Sequence, residues 1–389
     1  MMKATTLLFM SMLFSLGTLA AQPEKEWTFL VFLNGHNNLS SFGDMNIRDM
    51  EKVGSTKDIN ILVEWGSETT TKTRRLYVQK STNSAQVTSP VVLENDNYDM
   101  GNYKNLVEFV KWGIQNYPAK HYFVSVWNHG SGWNRQVLVS PKDISYDDHS
   151  GNKITTEQLG LAMSEIKQYL GRNIDIYGSD ACLMQMVEVA GEMKGDVNYF
   201  VGSQDLEPGE GWPYAPFLKK WAGQPTMTPA QVSVLLSKEY LAAYSTGGVY
   251  SRRDVTFAVW DMAGLDGLYA GMTDLRKDMT GLGTADFTAV KKASQYAQNF
   301  ACSGCADLGD FVKKLKSVPS MKSKASVSQV EKAIQKLVLS TDNSDEFRNS
   351  TGISVWLPSY KSPEMQNRYD NLKFSVATGW NIFTKMLTP

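Results

Sequence analysis

Two short motifs in this chain carry residue types that can perform covalent catalysis. The first is Trp127–Trp133, which reads WNHGSGW and contains His129, and the second is Ser179–Cys182, which reads SDAC. Cys182 follows His129 by 53 residues. A thiol becomes an effective nucleophile when a histidine lies beside it in the fold, whatever their separation along the chain. The motifs therefore predict a cysteine nucleophile with His129 as its general base and acid.

The residues around this pair indicate how its charges would be stabilised. Gly130 follows the histidine, and a backbone N–H without a neighbouring Cβ can approach an oxyanion closely. The backbone N–H of Cys182 is the expected second donor. Apolar residues at helical spacing in Leu183–Ala190 predict that Cys182 opens a helix, whose N-terminus would favour the thiolate. The alternative role for Cys182 is that of a buried structural cysteine.

Each motif follows an apolar segment typical of a strand, Tyr122–Trp127 or Ile174–Tyr177. Helical periodicity alternates with such segments through much of the chain, which predicts an α/β fold with a mostly parallel central sheet covered by helices on both faces. The carboxyl ends of parallel strands meet at one edge of the sheet, so His129 and Cys182 are predicted to lie together there. Helices are predicted at Met45–Val53, Tyr103–Ile114, Thr155–Leu170 (with a Thr155/Gln158 capping box), Met262–Met279, Phe287–Phe300, Asp307–Leu315 and Val327–Leu339.

The chain divides into three parts on sequence grounds. Residues 1–21 have a basic start, an apolar stretch and a small-residue exit, which predicts a signal peptide and export to the periplasm or the medium. Residues 22–261 form the predicted catalytic domain. Residues 262–389 form a predicted C-terminal, mainly helical subdomain, in which one late strand, Gly352–Leu357, pairs either locally or with the main sheet.

The amino-acid composition and charge limit which kinds of binding partner are expected. The 389 residues include 39 basic and 40 acidic side chains, and this balance gives no reason to expect nucleic acid or an anionic membrane surface as a partner. No apolar window after residue 21 is long enough to be a permanent membrane anchor. The expected partners are therefore peptides or proteins, and the expected state is an exported monomer.

The motifs resemble those of the clostripain family of cysteine peptidases, within the caspase-like group that includes legumain and gingipains. The resemblance extends over about Trp27–Trp212, and its further segments are Trp27–Leu39, Met50–Val63, Tyr117–Lys120 and Glu207–Trp212. It implies a caspase-like α/β/α sandwich, a His/Cys dyad that requires no third carboxylate, and cleavage after Arg or Lys.

The resemblance also implies which residues bind the substrate. Asp180 matches the acidic floor of the pocket for the side chain before the scissile bond. A carboxylate so close to the thiol would raise its pKa, so activation of the thiol is not its purpose; the alternative is an N-cap for the predicted Cys182 helix. Glu210 is expected to add negative charge at the pocket mouth, or else to be a solvated loop acid. Trp212 is expected to line the cleft or to anchor its loop.

Family members are made as single chains that cut themselves between the two motifs. Lys142 is the predicted bond, with Arg135 and Lys153 as alternatives. No metal or other cofactor is assigned as required. Calcium assists some relatives and remains open as a non-catalytic ligand, with Asp147–Asp148 and the acids near Glu207 as its ligands. The other histidines, His36, His121 and His149, are expected to have structural roles.

The remaining cysteines, Cys302 and Cys305, are expected to form a structural disulfide or to stay as two unreactive thiols, because no second pair at zinc-site spacing accompanies them. Two other functions stay open at this point. One is a peptidase of the same fold with asparaginyl specificity. The other is a secreted binding module that has lost catalysis.

Overall fold

The computed structural model describes residues 23–133 and 143–388, and in these residues it contains eleven strands in two sheets. The strands are β1 (Lys25–Gly35), β2 (Ile59–Ser67), β3 (Thr70–Tyr77), β4 (Val91–Asn95), β5 (Ala119–Trp127), β6 (Ile174–Asp180), β7 (Val197–Gly202), β8 (Thr256–Asp261), β9 (Cys305–Asp307), β10 (Val338–Asn343) and β11 (Ser354–Trp356).

The main sheet has nine strands in the order β10-β8-β7-β6-β5-β1-β2-β3-β4. Its five central strands, β7, β6, β5, β1 and β2, are parallel to one another. The strands at both edges pair in antiparallel fashion. The predicted α/β fold with a mostly parallel central sheet is thus confirmed.

Helices cover both faces of this sheet. They are α1 (Ser40–Glu51), α2 (Tyr103–Asn116), α3 (Thr156–Leu170), α4 (Val187–Glu192), α5 (Tyr214–Gly223), α6 (Pro229–Tyr244), α7 (Leu265–Thr280), α8 (Thr284–Tyr296), α9 (Leu308–Leu315), α10 (Ala325–Leu337), α11 (Pro363–Tyr369), α12 (Lys373–Thr378) and α13 (Trp380–Leu387). The capping box that opens α3 is present as predicted. The side chain of Thr155 accepts from the backbone N–H of Gln158, and the side-chain oxygen of Gln158 accepts from the backbone N–H of Thr155.

The core lies on both sides of the sheet, and β1 shows how one strand serves both. Phe29 and Val31 point to the cluster formed with α1, α5 and α6. Leu30 and Phe32 point to the other cluster, formed with α2, α3, α4 and the C-terminal helices. A parallel strand buried on both faces must be apolar at consecutive positions, which is why β1 reads as a continuous hydrophobic run.

The C-terminal part contains the predicted helices, with ends shifted by a few residues. The late strand pairs locally, as β11 against β9, and does not join the main sheet. Residues Val338–Asn343 form β10, which extends the main sheet at its edge beside β8 and was not predicted. The division at residue 262 stays a prediction.

Two further predictions concern covalent structure and membranes. Cys302 and Cys305 are joined in a disulfide, so the first of the two expected states is present. Within residues 23–133 and 143–388, no helix is long and apolar enough to cross a membrane. The predicted signal peptide lies outside the described residues.

Candidate active site

Strand pairing brings the two motifs to the same edge of the sheet. In the parallel pair β5 and β6, Trp127 is in register with Asp180. His129 and Cys182 each lie two residues beyond these partners, at the carboxyl ends of the strands. The backbone N–H of Asn128 donates to the carbonyl of Asp180 at 3.2 Å, which continues the pairing past the strand ends.

Close backbone packing joins the turns that follow these strands. A side chain at Gly130 would overlap the carbonyl oxygen of Cys182, and a side chain at Gly132 would overlap the thioether sulfur of Met186. Gly132 also has a φ of +59°, which glycine adopts without strain. The two glycines of the His129 motif therefore permit the turns after β5 and β6 to pack closely against each other.

Cys182 lies in a turn and not at a helix N-terminus, so that prediction was wrong. Helix α4 begins only at Val187. Before it, the N–H groups of Leu183 and Gln185 donate to Asp205 and Ser203 at 3.0 and 2.9 Å, and Leu183 has a φ of +65°. These hydrogen bonds to the segment after β7 take the place of the intrahelical bonds that a first helical turn would make. Asp180 is consequently no N-cap, and that alternative is excluded.

The Cys182 thiol is held in its neutral form. Burial raises its pKa to about 11, and the negative charges of Asp205 and Asp180 add to the increase. The backbone N–H of Glu207 donates to the sulfur at 3.2 Å and acts in the opposite direction. The described state therefore contains a thiol that must lose its proton before it can attack.

His129 is half-buried, and its Nε2 lies 2.8 Å from the side-chain oxygen of Asn38. Asn38 belongs to the loop after β1, which is fastened by the bond from Leu39 N–H to Asn37 Oδ1 at 2.9 Å. A fixed amide oxygen orients the imidazole without adding charge. Asn38 lies in a segment that carries the family resemblance, but no role was predicted for it.

Asp180 is buried, with its carboxylate directed at the segment that follows β7. It accepts from the hydroxyl of Tyr214 at 2.7 Å and from the backbone N–H of Trp212 at 3.3 Å. Burial raises the pKa of Asp180 to about 6, although these donors and the carboxyl of Glu207 oppose the increase. The pocket floor predicted at Asp180 is therefore a desolvated acid that ionises near neutral pH.

Glu207 is a second buried acid whose pKa is affected by Asp180, and no sequence pattern indicated this role. Burial raises the pKa of Glu207 well above its usual range, and the charge of Asp180 adds to this effect. Both carboxyl oxygens of Glu207 are buried and have no hydrogen-bond partner within residues 23–133 and 143–388, so burial favours the neutral form of this acid. Sequence signals did not separate Glu207 from Glu210, since both lie in one polar loop segment.

Glu210 and Trp212 occupy different surroundings from those of Glu207. Glu210 is half-buried, and its charge contributes to the raised pKa of Tyr244 and Tyr250 beside the pocket. The Trp212 indole is fully buried and packs against Phe123 and Phe257, with ring centroids 6.0 and 5.8 Å away. This packing holds the loop of Trp212 against the core.

The predicted self-cleavage site is only partly described. Arg135 and Lys142 lie outside the described residues, whereas Lys153 is 20% exposed and lies 3.8 Å from the carboxylate of Asp143. Arg368 in α11 donates to Trp133 O at 2.6 Å and also pairs with Asp143. One arginine of the C-terminal part therefore holds the residues on both sides of the segment 134–142.

Comparison with known proteins agrees with this geometry. The family model of the clostripain family matches residues 31–386. The chain belongs to the clostripain family. It is therefore a member of a family of cysteine peptidases, as the resemblance implied.

Solved structures of this family share the fold. A secreted C11 cysteine protease from Bacteroides thetaiotaomicron, in complex with an irreversible peptide inhibitor, has 19% identity and a TM-score of 0.70, covering 92% of this chain and 99% of its own. An inactive zymogen C11 protease from Parabacteroides distasonis has 18% identity and a TM-score of 0.70 over the same shares. No curated protein matches the chain.

Proposed function

We propose that this chain is an exported cysteine endopeptidase that cleaves after Arg or Lys with a His129–Cys182 dyad. The observation that carries the proposal is the buried Asp180–Glu207 carboxyl pair directly beside the thiol, with the Glu207 N–H bonded to the sulfur. A buried acid of this kind is costly unless a cation arrives to pair with it. A guanidinium or ammonium group of a substrate would supply that cation.

The chemistry follows from the arrangement of the dyad. His129 takes the proton of Cys182, and the thiolate attacks the peptide carbonyl carbon to form a C–S bond. The backbone N–H groups of Gly130 and Cys182 are the proposed donors to the resulting oxyanion. His129 returns the proton to the leaving amine as the C–N bond breaks, and a water molecule then hydrolyses the thioester.

We assign the main contribution to specificity to the charge balance of the pocket. In the resting state burial raises the pKa of both acids, which favours their neutral forms until a cation arrives. An entering cation lowers the pKa of both acids and so favours a carboxylate that can pair with it. Asn or Asp side chains bring no compensating charge.

Self-cleavage after Lys142 is the proposed activation step, and the fold supports continued association of the two fragments. The cut would separate β5 from β6, which are hydrogen-bonded neighbours in the sheet. Arg368 would hold Trp133 on one fragment and Asp143 on the other. Lys153 is a less favourable target because its backbone neighbour, Ile154, pairs with Ile144.

Reporter peptides that differ only before the scissile bond test the specificity. Arg and Lys peptides should be cleaved and Asn and Asp peptides should not; preferential cleavage of the Asn peptide would instead indicate an asparaginyl peptidase. Mass spectrometry of the purified protein tests activation. A new N-terminus at Asp143 supports Lys142, whereas Gln136 or Ile154 would move the bond to Arg135 or Lys153, and a fully active uncut chain would refute the activation step.

A further inference from the structure

Two histidines and an aspartate that are distant in sequence meet at the carboxyl edge of the sheet. They are His36, directly after β1, and Asp147 and His149, in a turn before α3. One ring nitrogen of each histidine and one carboxylate oxygen of Asp147 all lie within 4.8 Å of one another. Structural roles were predicted for both histidines, because no flanking sequence motif marks either of them.

We propose that His36, Asp147 and His149 form a binding site for a divalent transition metal ion of the zinc class. Two imidazoles and one carboxylate are a donor set that zinc uses in proteins, and water completes a tetrahedron. Calcium, which prefers oxygen ligands in larger number, fits this set poorly. The site therefore differs in chemistry from the calcium site considered at Asp147–Asp148.

Each of the two imidazoles has a backbone carbonyl oxygen beside its Nε2, as metal-binding histidines commonly do. A ligating imidazole usually donates its other N–H to a carbonyl or carboxylate, which fixes the ring. Nε2 of His149 lies 2.9 Å from the carbonyl oxygen of Glu68, and Nε2 of His36 lies 3.4 Å from that of Lys72. With these N–H groups on carbonyls, Nδ1 of each ring is the nitrogen available to a metal ion.

The carboxylate is equally well placed. Oδ2 of Asp147 lies 2.9 Å from Nδ1 of His36, close to the separation of two ligands on one small cation. Backbone N–H groups fix both of its oxygens, from Met100 to Oδ2 and from His149 to Oδ1, each at 2.9 Å. Asp147 can thus bind a metal ion without first changing its orientation.

Access and rigidity complete the case for a binding site. His36 and Asp147 are both 1% exposed, whereas His149 is exposed, so two ligands are preorganised and the third is open to solvent. A cavity of 210 Å³ adjoins the three side chains and is also lined by Asp99, Thr71 and Ser150. An ion can therefore enter from the His149 side.

The location connects this site with the dyad. His36 is followed by Asn37 and Asn38, and Asn38 holds His129. The backbone carbonyl of His36 accepts from Asp148 N–H at 2.8 Å, which ties the turn of Asp147 and His149 to the same loop. An ion at this site would restrain the loop that orients the proposed catalytic histidine, but its binding does not depend on that role.

Zinc titration by calorimetry tests the proposal. The protein is full-length, free of any purification tag and stripped of metal, and it carries Cys182→Ala so that the thiol cannot bind zinc. One zinc ion per chain should bind with a micromolar or lower Kd at pH 7.5. Cobalt should give the intense visible bands of a tetrahedral site.

Two histidine variants separate this site from adventitious binding. His149→Asn should weaken zinc binding by more than about tenfold, since even loss of an outer partner has that effect. His149 is exposed, so this variant should fold, which circular dichroism checks. His121→Asn is the matched control, because His121 also pairs with an aspartate, Asp175, at 3.1 Å, but within residues 23–133 and 143–388 this pair belongs to no three-ligand cluster. Absence of zinc binding, or equal affinity in both variants, would overturn the proposal.

Discussion

Replacing Asp180 with Asn should remove most of the preference for Arg or Lys. The Asp180 side chain is 4% exposed, so a basic group that reaches it must leave water. Removing one partner of such a buried pair costs about 3–5 kcal/mol, which corresponds to a decrease in kcat/KM of about 10²- to 10⁴-fold for basic substrates. The asparagine oxygen can still accept from Tyr214, so the fold should survive.

The pH dependence of this preference provides a second, independent readout. Because the pKa of Asp180 is raised to about 6, the carboxyl is neutral at lower pH and cannot pair with a cation. In the wild type, selectivity for Arg should therefore increase as the pH rises through about 6. The variant should lack this step. The ratio of kcat/KM for an Arg peptide to that for a matched Gln peptide cancels any pH dependence that the two substrates share.

Glu210→Gln is the control for this experiment. Glu210 lies in the same loop segment as Glu207 and is half-buried, and its carboxyl makes no hydrogen bond to Asp180 within residues 23–133 and 143–388. It should keep most of the Arg/Gln ratio. If Asp180→Asn keeps that ratio within about threefold of the wild type at pH 8, the reasoning about the pocket is refuted.

Three further predictions concern the thiol, the core and the disulfide. The pKa of Cys182 is about 11, so its alkylation by iodoacetamide should be slow near pH 7 and should accelerate up to about pH 11. The uncut Lys142→Ala chain is the protein to use. A rate that stops increasing below about pH 8 would contradict a buried, neutral thiol. Burial raises the pKa of Glu188 to about 7, so the wild type should lose up to roughly 3 kcal/mol of unfolding free energy as the pH rises from about 4.5 to 7. Urea unfolding at pH 5 and 8 should show a smaller loss for Glu188→Gln. An equal loss in both proteins would refute the attribution of this pH dependence to Glu188. Replacing Cys302 and Cys305 together by Ser should lower stability by about 2 kcal/mol and leave peptide hydrolysis unchanged, and a large loss of activity in the folded variant would contradict a purely structural bond.

The central strands and the proximity of the two motifs were predictable from sequence, because buried parallel strands consist of consecutive apolar residues. Trp27–Leu33 and Ile174–Tyr177 are of this kind, and the rule that such strands end at one edge then places His129 and Cys182. The capping box of α3 is equally local. In these cases the signal lies within a few neighbouring residues.

The errors occurred where distant contacts override local pattern. Helical spacing in Leu183–Ala190 suggested a helix at Cys182, but hydrogen bonds to Ser203 and Asp205 hold the first residues in a turn. Val338–Asn343 continues from α10 without a breaking residue, and only pairing with β8 makes it a strand. Glu207 could not be selected over Glu210 because the fold of their loop decides which carboxyl meets Asp180.

The central claim, that Cys182 is the nucleophile, is tested most directly by the turnover of Cys182→Ala. The variant should retain the fold by circular dichroism and unfold at a temperature close to that of the uncut Lys142→Ala chain, since only one sulfur atom is removed. Its kcat for an Arg reporter peptide should fall by about 10⁴-fold or more, as expected when a covalent nucleophile is lost. A folded Cys182→Ala enzyme with turnover within about tenfold of the wild type would contradict the account.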